Sequence, residues 1–157
     1  IKTPEEWKYI EIRGMDSFVG KIALGNNDTI SFDYGYYSND LEQSNSDYDY
    51  FVANDSVFYN PKYNPENESD SNDYEYIFFS KRESFKIEML SDRTFHYVKI
   101  DKKKAKISTP KKEGIGLTGV YFKNVGNRKS LQISGNNLSI ENQKEFLKAI
   151  KTIKFKK

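Results

Sequence analysis

Apolar and polar residues alternate with a period of two in residues 16–41, where the β pattern of the chain is clearest. Apolar side chains take alternate positions on both sides of a short polar segment: Phe18, Ile22 and Leu24, then Ile30, Phe32, Tyr34 and Tyr36. This period places each set on one face of a strand. Residues 25–28 (Gly-Asn-Asn-Asp) between the two sets tolerate the positive φ angles of tight turns. The pattern therefore predicts a β-hairpin.

Short alternating segments recur before and after this hairpin. Trp7 and Tyr9 indicate a first strand near the start, and later strands are expected at 74–80, 84–90, 94–100, 104–108, 114–125 and 130–134. Most of the later links are too short for parallel crossovers, so these strands should form an antiparallel meander.

The end of the chain changes to a helical pattern. Ser139 is suited to an N-cap, and Glu141 favours the first turn of a helix. Phe146, Leu147, Ile150 and Ile153 form one apolar stripe. Ile153 and Phe155 then alternate with lysines, which predicts a short terminal strand. The expected fold is α+β: a single antiparallel sheet of about six to eight strands, rich in meander, with the C-terminal helix on one face.

Residues 38–73 differ in composition from the rest of the chain. They are rich in Asn, Ser, Asp and Pro, which favour turns and loops, with a short apolar island at 51–53 and 57–59 that predicts a small strand. Residues 39–75 hold ten acidic residues and one lysine, although the whole chain has a net charge of +2. We therefore predict a single domain, residues 1–157, with a long acidic insert at about 38–73 and a basic second half.

Composition excludes several classes of site. The chain has no cysteine and one histidine, which excludes disulfides and zinc centres built from several His or Cys ligands. We expect no cofactor, no metal and no catalytic residue. No apolar run approaches the roughly 20 residues of a membrane span. The first residue is Ile1 rather than Met, so we expect that a segment preceded it. An export signal, or one ending in a lipid-anchor site, fits this expectation, and a shortened cytoplasmic chain fits it equally well.

Two segments resemble known families. The pattern G-x-D-S-aromatic-V-G followed by F-D-Y-G-x-Y-S is formed by Gly14, Asp16, Ser17, Phe18, Val19 and Gly20, then Phe32, Asp33, Tyr34, Gly35, Tyr37 and Ser38. It resembles a segment of uncharacterised bacterial exported proteins and implies a location in the cell envelope or periplasm. The last 20 residues are similar to the end of the PsbP/Mog1-like fold, which implies an antiparallel sheet flanked by helices.

Each candidate for chemistry has a plain structural alternative. Asp33 is a candidate general acid with Asp16 as its partner, or else it faces water or caps a strand end. A Ser-His-Asp triad would have to use His96, which is more simply a strand histidine. The acidic insert supplies oxygen ligands for calcium but lacks an EF-hand pattern. The basic half offers Lys102, Lys103, Lys104, Lys106, Lys111, Lys112, Lys123, Arg128 and Lys129 to phosphates, or forms a solvated lysine face.

The function we expect is that of a non-enzymatic exported domain that binds a protein partner, and one version is an immunity-type inhibitor of a toxin. Tyrosines that alternate with carboxylates are typical of interfaces. The expected partner-binding residues are Asp47, Tyr48, Asp49, Tyr50, Tyr59 and Tyr63, while Asp16, Asp33, Tyr34, Gly35 and Tyr37 form a motif of unknown role. No nucleic-acid partner is expected. The alternatives are an envelope module that binds a small molecule or lipid between sheet and helix, and a hydrolase that uses Asp33.

Overall fold

The chain folds into two compact units, residues 1–42 with 92–157 and residues 43–91. The computed structural model describes residues 1–42 and 92–155 and, between them, the backbone of three short strands. Residues 38–42, which the composition assigns to the insert, belong to the first unit. The predicted strand at 84–90 lies outside the described residues.

The first unit is built on one antiparallel sheet of seven strands. In spatial order these are β1 (Lys8–Glu11), β2 (Phe18–Gly25), β3 (Asp28–Gly35), β10 (Lys129–Asn136), β9 (Leu117–Gly126), β8 (Lys103–Pro110) and β7 (Arg93–Ile100). The sheet combines the predicted hairpin with the part of the predicted meander that runs from β7 to β10, and both are confirmed. The strand predicted at 74–80 is not part of this sheet, because its described residues 77–79 pair in a second sheet. The pairing of β10 with β3, which joins the two parts, has no signal in the local sequence.

The hairpin turn between β2 and β3 follows from its residues. Asn26 and Asn27 have φ angles of 50° and 61°, the left-handed conformation that asparagine tolerates and that two-residue hairpin turns require. Register shifts by one residue between Ala23 and Gly25, beside this turn. Ile22 therefore lies opposite Ile30, with both on the face that carries the core.

One helix, α1 (Ile140–Ile150), lies on this face as predicted. Ser139 is its N-cap, and the Ser139 Oγ accepts a hydrogen bond from the Asn142 backbone N–H. Phe146 and Ile150 are fully buried in a core that includes Val120 and Phe122. The structure is mostly sheet, and it is α+β only in the sense that this helix covers one side.

Asp28 connects the hairpin turn to the start of α1. Its Oδ2 accepts hydrogen bonds from the Ser139 backbone N–H at 2.8 Å and from the Asn142 Nδ2 at 2.7 Å. Partial burial acts to raise the pKa of Asp28, but the hydrogen bonds from Asn142 and Ser139 outweigh it and hold the pKa below its ordinary value. The carboxylate is thus an anion bound at a helix N-terminus.

The prediction of a short terminal strand at Ile153 and Phe155 is wrong. Residues 153–155 have no strand pairing, although Ile153 is buried in the core. The Phe155 backbone N–H donates a hydrogen bond to Asp101 Oδ2 at 2.7 Å, and this hydrogen bond lowers the pKa of the Asp101 carboxyl. The Asp101 side chain thus accepts the backbone hydrogen bond that a neighbouring strand would otherwise accept. Hydrophobic alternation alone does not predict such a partner.

The second unit contains an antiparallel sheet of three strands, β4 (Tyr50–Ala53), β5 (Ser56–Tyr59) and β6 (Ile77–Phe79). The apolar island from which one small strand is predicted forms the first two of these strands, and the third falls within the strand predicted at 74–80. Tyr50 pairs with Tyr59, and Val57 pairs with Phe79.

Candidate functional site: a lysine–tyrosine groove

The sheet of the first unit carries polar side chains on the face turned away from α1, which we call the polar face. Alternation places Lys104 and Lys106 of β8 on this face, while Ala105 and Ile107 point to the core. The same reasoning places Tyr121 and Lys123 of β9 beside them. The polar face therefore has a consistent composition over three neighbouring strands at one end of the sheet.

Strand register arranges these side chains in two rows across β7, β8 and β9. Lys99 pairs with Lys104, and one step beyond the pair Ala105–Phe122 the same register brings Lys104 beside Lys123. We call Lys99, Lys104 and Lys123 the lysine row. The adjacent row consists of Tyr97, Lys106 and Tyr121. Like charges in directly opposed cross-strand positions destabilise a sheet, so the lysine row has a structural cost.

A groove of about 220 Å³ opens between these rows, and its lining residues are Tyr97, Lys104, Lys106, Tyr121 and Lys123. The Lys104 Nζ lies 5.0 Å from the centre of the Tyr97 ring, a cation–π contact. Tyr97 is 60% exposed, whereas Tyr121 is half-buried and its hydroxyl donates a hydrogen bond to the Ser130 Oγ at 3.1 Å. The lining combines positive charge with amphipathic rings, and we call it the lysine–tyrosine groove.

Lys106 differs from the other lysines because its side chain is only 9% exposed. Its Nζ donates a hydrogen bond to Glu42 Oε1 at 2.5 Å, lies 3.8 Å from Asp40 Oδ2, and lies 4.8 Å from the centre of the Phe95 ring. A buried ammonium needs such partners because its desolvation is costly. Lys106 is thus neutralised within the chain, whereas Lys104 and Lys123 remain exposed.

Residues 38–42, which we call the strap, bring Asp40 and Glu42 onto the polar face. Ser38 Oγ accepts a hydrogen bond from the Gly35 backbone N–H and lies 3.1 Å from the carbonyl oxygen of Ser130. Leu41 is 2% exposed, and its carbonyl oxygen accepts a hydrogen bond from Arg93 Nη1. A Cβ added at Gly119 would lie 3.2 Å from Leu41 Cδ2, so the strap packs directly on Gly119 of β9.

The motif formed by residues 14–20 and 32–38 lies at the end of the hairpin from which the strap leaves. Phe18 pairs with Tyr34, and Gly20 pairs with Phe32. A Cβ at Gly20 would lie 2.6 Å from the Phe32 ring, and one at Gly35 would lie 2.6 Å from the Ser17 Cβ. These glycines are required for close packing, which gives much of the motif a structural role.

The other motif residues are not brought to one site. Asp16 is exposed, and Tyr37 is 89% exposed. Tyr34 is half-buried, and the Lys129 Nζ lies 5.5 Å from the centre of its ring.

Asp33 lies on the polar face but away from the groove. The row of Tyr97, Lys106 and Tyr121 continues through Gln132 to Asp33, so Asp33 is two strands, roughly 10 Å, from Tyr121. Its Oδ1 is buried and has no hydrogen-bond partner among the described residues. No described hydrogen bond joins Asp33 to Asp16, the second carboxylate of the hydrolase hypothesis.

Most of the predicted partner-binding residues lie outside the described residues. These are Asp47, Tyr48, Asp49 and Tyr63, and calcium binding by the acidic insert also depends on residues that are not described. The backbones of Tyr50 and Tyr59 are adjacent in the β4–β5 pair. Within the described ranges, no cluster of three or more His, Asp or Glu side chains is suited to a metal ion.

Sequence reasoning did not find the groove, although it noted most of the lysines. It treated Lys104, Lys106 and Lys123 as members of a general basic half. The missing information was that β7, β8 and β9 are neighbours in a fixed register, which adds Lys99, Tyr97 and Tyr121. The signal available was the alternation Lys104-Ala105-Lys106-Ile107 on a strand with a buried face.

The groove is also not where the hypothesis of a small-molecule or lipid module placed a pocket. That hypothesis expects an apolar cavity beneath Phe146 and Ile150, and both side chains are fully packed in the core. A second cavity of about 220 Å³ lies beside the helix C-terminus, and Lys2, Glu145 and Thr152 are among its lining residues. In the described part of the chain, no helix has the length and apolarity needed to cross a membrane.

None of the known protein families, curated proteins or solved structures compared with this chain matches it.

Proposed function

We propose that this chain is a non-enzymatic domain that binds a protein partner, and that the lysine–tyrosine groove holds an acidic segment of that partner. The observation that carries the proposal is the lysine row, in which Lys99, Lys104 and Lys123 stand side by side across three strands. Their mutual repulsion is relieved when an anion binds between them. The repulsion that destabilises the free protein is therefore weakened in the complex.

Strand geometry favours an extended peptide that crosses the strands as the source of the anion. The two exposed lysines of the groove, Lys104 and Lys123, lie side by side on neighbouring strands, roughly 5 Å apart. Carboxylates at alternate positions of an extended segment, roughly 6.6 Å apart, can therefore each approach one of these lysines. Tyr97 adds a rigid ring with a polar tip, the type of side chain that interfaces use as an anchor.

The same groove is less suited to single-stranded nucleic acid. Continuous stacking of bases needs several exposed rings along the binding track. In the groove Tyr97 is widely exposed, but Tyr121 is half-buried and hydrogen-bonded to Ser130. The charges come from lysines, which hold a carboxylate as point charges, rather than from arginines, which read base edges.

The envelope location belongs to this proposal and is supported by the resemblance of the hairpin motif, and an immunity-type inhibitor is one version of the proposal. An acidic segment recognised by a basic groove is one way in which an inhibitor associates rapidly with its target, because opposite charges steer the encounter. The proposed site differs from the acidic insert that the sequence favoured, and both can contribute to one interface.

Each of two alternative functions is supported by one specific observation. A small anionic molecule of the envelope would fit a cavity of about 220 Å³. A hydrolase would use Asp33, whose buried Oδ1 has no described partner. A small ligand that saturates the groove would support the first alternative. A hydrolytic reaction that is lost in the Asp33→Asn variant would support the second.

Direct titration tests the proposal. A labelled ten-residue peptide of alternating Thr and Glu is titrated with the protein at low salt by fluorescence anisotropy, with a Thr-Gln peptide as the neutral control. We expect binding of the acidic peptide only, weakened by added salt. The double variant Lys104→Gln, Lys123→Gln should bind about tenfold more weakly, equivalent to about 1.4 kcal/mol.

The matched control is Lys8→Gln, Lys144→Gln, which makes the same change in net charge on β1 and α1, away from the groove. It should bind as the unchanged protein does. Equal losses in the two double variants would show that net charge alone is responsible and would contradict the proposal. Tighter binding of an oligothymidylate of equal charge than of the peptide would favour a nucleic-acid partner instead.

A further inference from the structure

Lys106 lines the lysine–tyrosine groove, and the chain itself already supplies a carboxylate to it. The Lys106 Nζ donates a hydrogen bond to the Glu42 Oε1 at 2.5 Å and lies 3.8 Å from the Asp40 Oδ2. The other lysines that line the groove, Lys104 and Lys123, are exposed. One lysine position of the groove is therefore occupied by an internal anion, which the proposed acidic segment meets when it binds.

The two members of this ion pair differ in their contact with solvent. The Lys106 side chain is 9% exposed, whereas the Glu42 side chain is 60% exposed. Solvent therefore reaches the carboxylate that contacts the ammonium group, and rotation of the Glu42 side chain would uncover the Lys106 Nζ. A buried ammonium group without a partner is costly, so Glu42 leaves only where another anion takes its place.

The backbone of the strap is held in place next to Glu42. Leu41 is 2% exposed, and its carbonyl oxygen accepts a hydrogen bond from the Arg93 Nη1 at 3.2 Å. At the start of the strap, the Ser38 Oγ accepts a hydrogen bond from the Gly35 backbone N–H at 3.0 Å. These contacts hold the strap as far as Leu41, so exchange of the anion on Lys106 requires movement of the Glu42 side chain only.

We infer that Lys106 is a further carboxylate-binding position of the groove and that Glu42 is an internal ligand that the partner's acidic segment replaces. This inference rests on the proposed function and adds the regulation of the same site. Exchange of one carboxylate for another keeps the buried ammonium group paired before and after binding. Because Glu42 is tethered beside Lys106, it competes with the partner at a high effective concentration.

This competition makes the groove selective for segments with several acidic residues. Lys104 and Lys106 are two residues apart on β8, roughly 6.6 Å, so a segment that lies on the lysine row passes close to Lys106. A single carboxylate gains little when it displaces Glu42, because one ion pair replaces another. A segment that also binds Lys104 and Lys123 is itself held beside Lys106, and its local concentration offsets that of Glu42.

Removal of the internal carboxylate tests this inference by titration. In Glu42→Gln the amide oxygen can still accept the hydrogen bond from Lys106, but it no longer neutralises the charge. We expect this variant to bind the Thr-Glu peptide about three- to fivefold more tightly at low salt, the contribution of one partly exposed ion pair. Asp40→Asn, on the same strap but in a looser contact, should have a smaller effect. Glu11→Gln, on β1 away from the groove, should bind as the unchanged protein does.

A double-mutant cycle with Lys106 separates exchange at this lysine from a general effect of charge. When Lys106→Gln is present, no ammonium group is left for Glu42 to occupy. Glu42→Gln should then change the affinity for the peptide no more than Glu11→Gln does. A gain of equal size with and without Lys106 would show that Glu42 only repels the peptide, and it would overturn the inference.

Carboxyl ¹³C NMR of the unchanged full chain observes the exchange without any substitution. Saturation with the Thr-Glu peptide should shift the side-chain carboxyl resonance of Glu42, because its hydrogen bond with Lys106 is lost. The methyl resonances of Leu41 should stay in place, since the strap remains bound. A Glu42 resonance that does not shift in the complex overturns the inference, whatever the stability of the variants.

The remaining outcomes separate the inference from the proposed function. Peptide binding that Glu42→Gln leaves unchanged, or weakens, overturns the inference but leaves the groove as a binding site. Binding by Glu42→Gln and not by the unchanged protein supports the inference, because the internal carboxylate then blocks the groove completely. Absence of binding by both proteins removes the proposed function and the inference together.

Discussion

Lys99 and Lys104 lie directly opposite each other in the antiparallel pair of β7 and β8, two like charges on one face of the sheet. Lys123 extends the row on β9. Packing does not require this arrangement, because Lys99, Lys104 and Lys123 are all exposed. A fold optimised for stability alone would place opposite charges or neutral residues here. We interpret the lysine row as a feature kept for binding at a cost in stability.

Removal of the central charge should therefore stabilise the free protein. We expect Lys104→Gln to raise the free energy of unfolding by about 0.5 kcal/mol at low salt, because relief of repulsion from two neighbouring lysines outweighs the loss of the exposed cation–π contact with Tyr97. The gain should shrink as salt screens the charges. Urea denaturation at low and high ionic strength measures it, with Lys144→Gln on α1 as control. A destabilised Lys104→Gln variant would contradict the account.

The strap depends on the absence of a side chain at Gly119. A Cβ there would lie 2.8 Å from the Ser134 Cβ and 2.9 Å from the Ile133 carbonyl oxygen, in addition to its approach to Leu41. We expect Gly119→Ala to destabilise the protein by about 1–3 kcal/mol, because neither the backbone atom nor the buried strap can move freely. Thermal denaturation measures this effect.

The matched control is Gly126→Ala, at the other end of β9. Its nearest neighbour would be the Tyr34 hydroxyl at 3.4 Å, an ordinary contact distance. This variant should be close to the unchanged protein in stability. If both variants had the same stability, the packing of Leu41 on Gly119 would not limit the fold.

Asp28 should make the free energy of unfolding depend on pH in the acidic range. Because its pKa is lowered in the folded state, its contribution is fully present above the ordinary value of 3.8 and is lost as the pH falls through the lowered folded pKa. Asp28→Asn should cost about 0.5–1 kcal/mol at pH 7, and this difference should disappear at the lowest pH. Denaturation midpoints across acidic pH test this, with exposed Asp16→Asn as control. A difference that does not vary with pH would exclude the charge of Asp28 as its cause.

The Asp33 carboxylate, unlike that of Asp28, should lower the stability of the fold. A carboxylate oxygen that is buried without a hydrogen-bond partner lowers stability, and a neutral amide of the same shape is less costly to bury. We expect Asp33→Asn to raise the free energy of unfolding by about 1 kcal/mol. A loss of stability, measured by denaturation at neutral pH, would show that the carboxylate has a stabilising partner. A stabilised variant would make Asp33 the residue to examine in any assay for hydrolysis.

Local pattern was sufficient to predict most of the described elements of the first unit. The asparagines of the β2–β3 turn, the alternation in β7 to β10 and the N-cap Ser139 each determine local structure by short-range physics. These signals predicted a sheet with a C-terminal helix on one face. They failed at Ile153 and Phe155, where the Asp101 side chain takes the backbone hydrogen bond that a strand would have supplied.

The candidate site could not be predicted in the same way because it depends on pairing between distant strands. Tyr97 and Tyr121 are separated by 24 positions in the chain, and they share the groove because both flank Lys106 in register. The strap is a similar case, since the ion pair of Glu42 with Lys106 spans 64 positions. Alternation assigns each side chain to a face, but it does not specify which strands are neighbours.

Mapping of the bound acidic peptide by NMR tests the central claim most directly. In a titration of the ¹⁵N-labelled full chain with the Thr-Glu peptide, the largest chemical-shift changes should fall in residues 97–99, 104–106 and 121–123. These changes should be lost in Lys104→Gln, Lys123→Gln and kept in Lys8→Gln, Lys144→Gln. Changes centred instead on α1, or on the described residues of β1 and β2, would contradict the assignment of the lysine–tyrosine groove as the binding site.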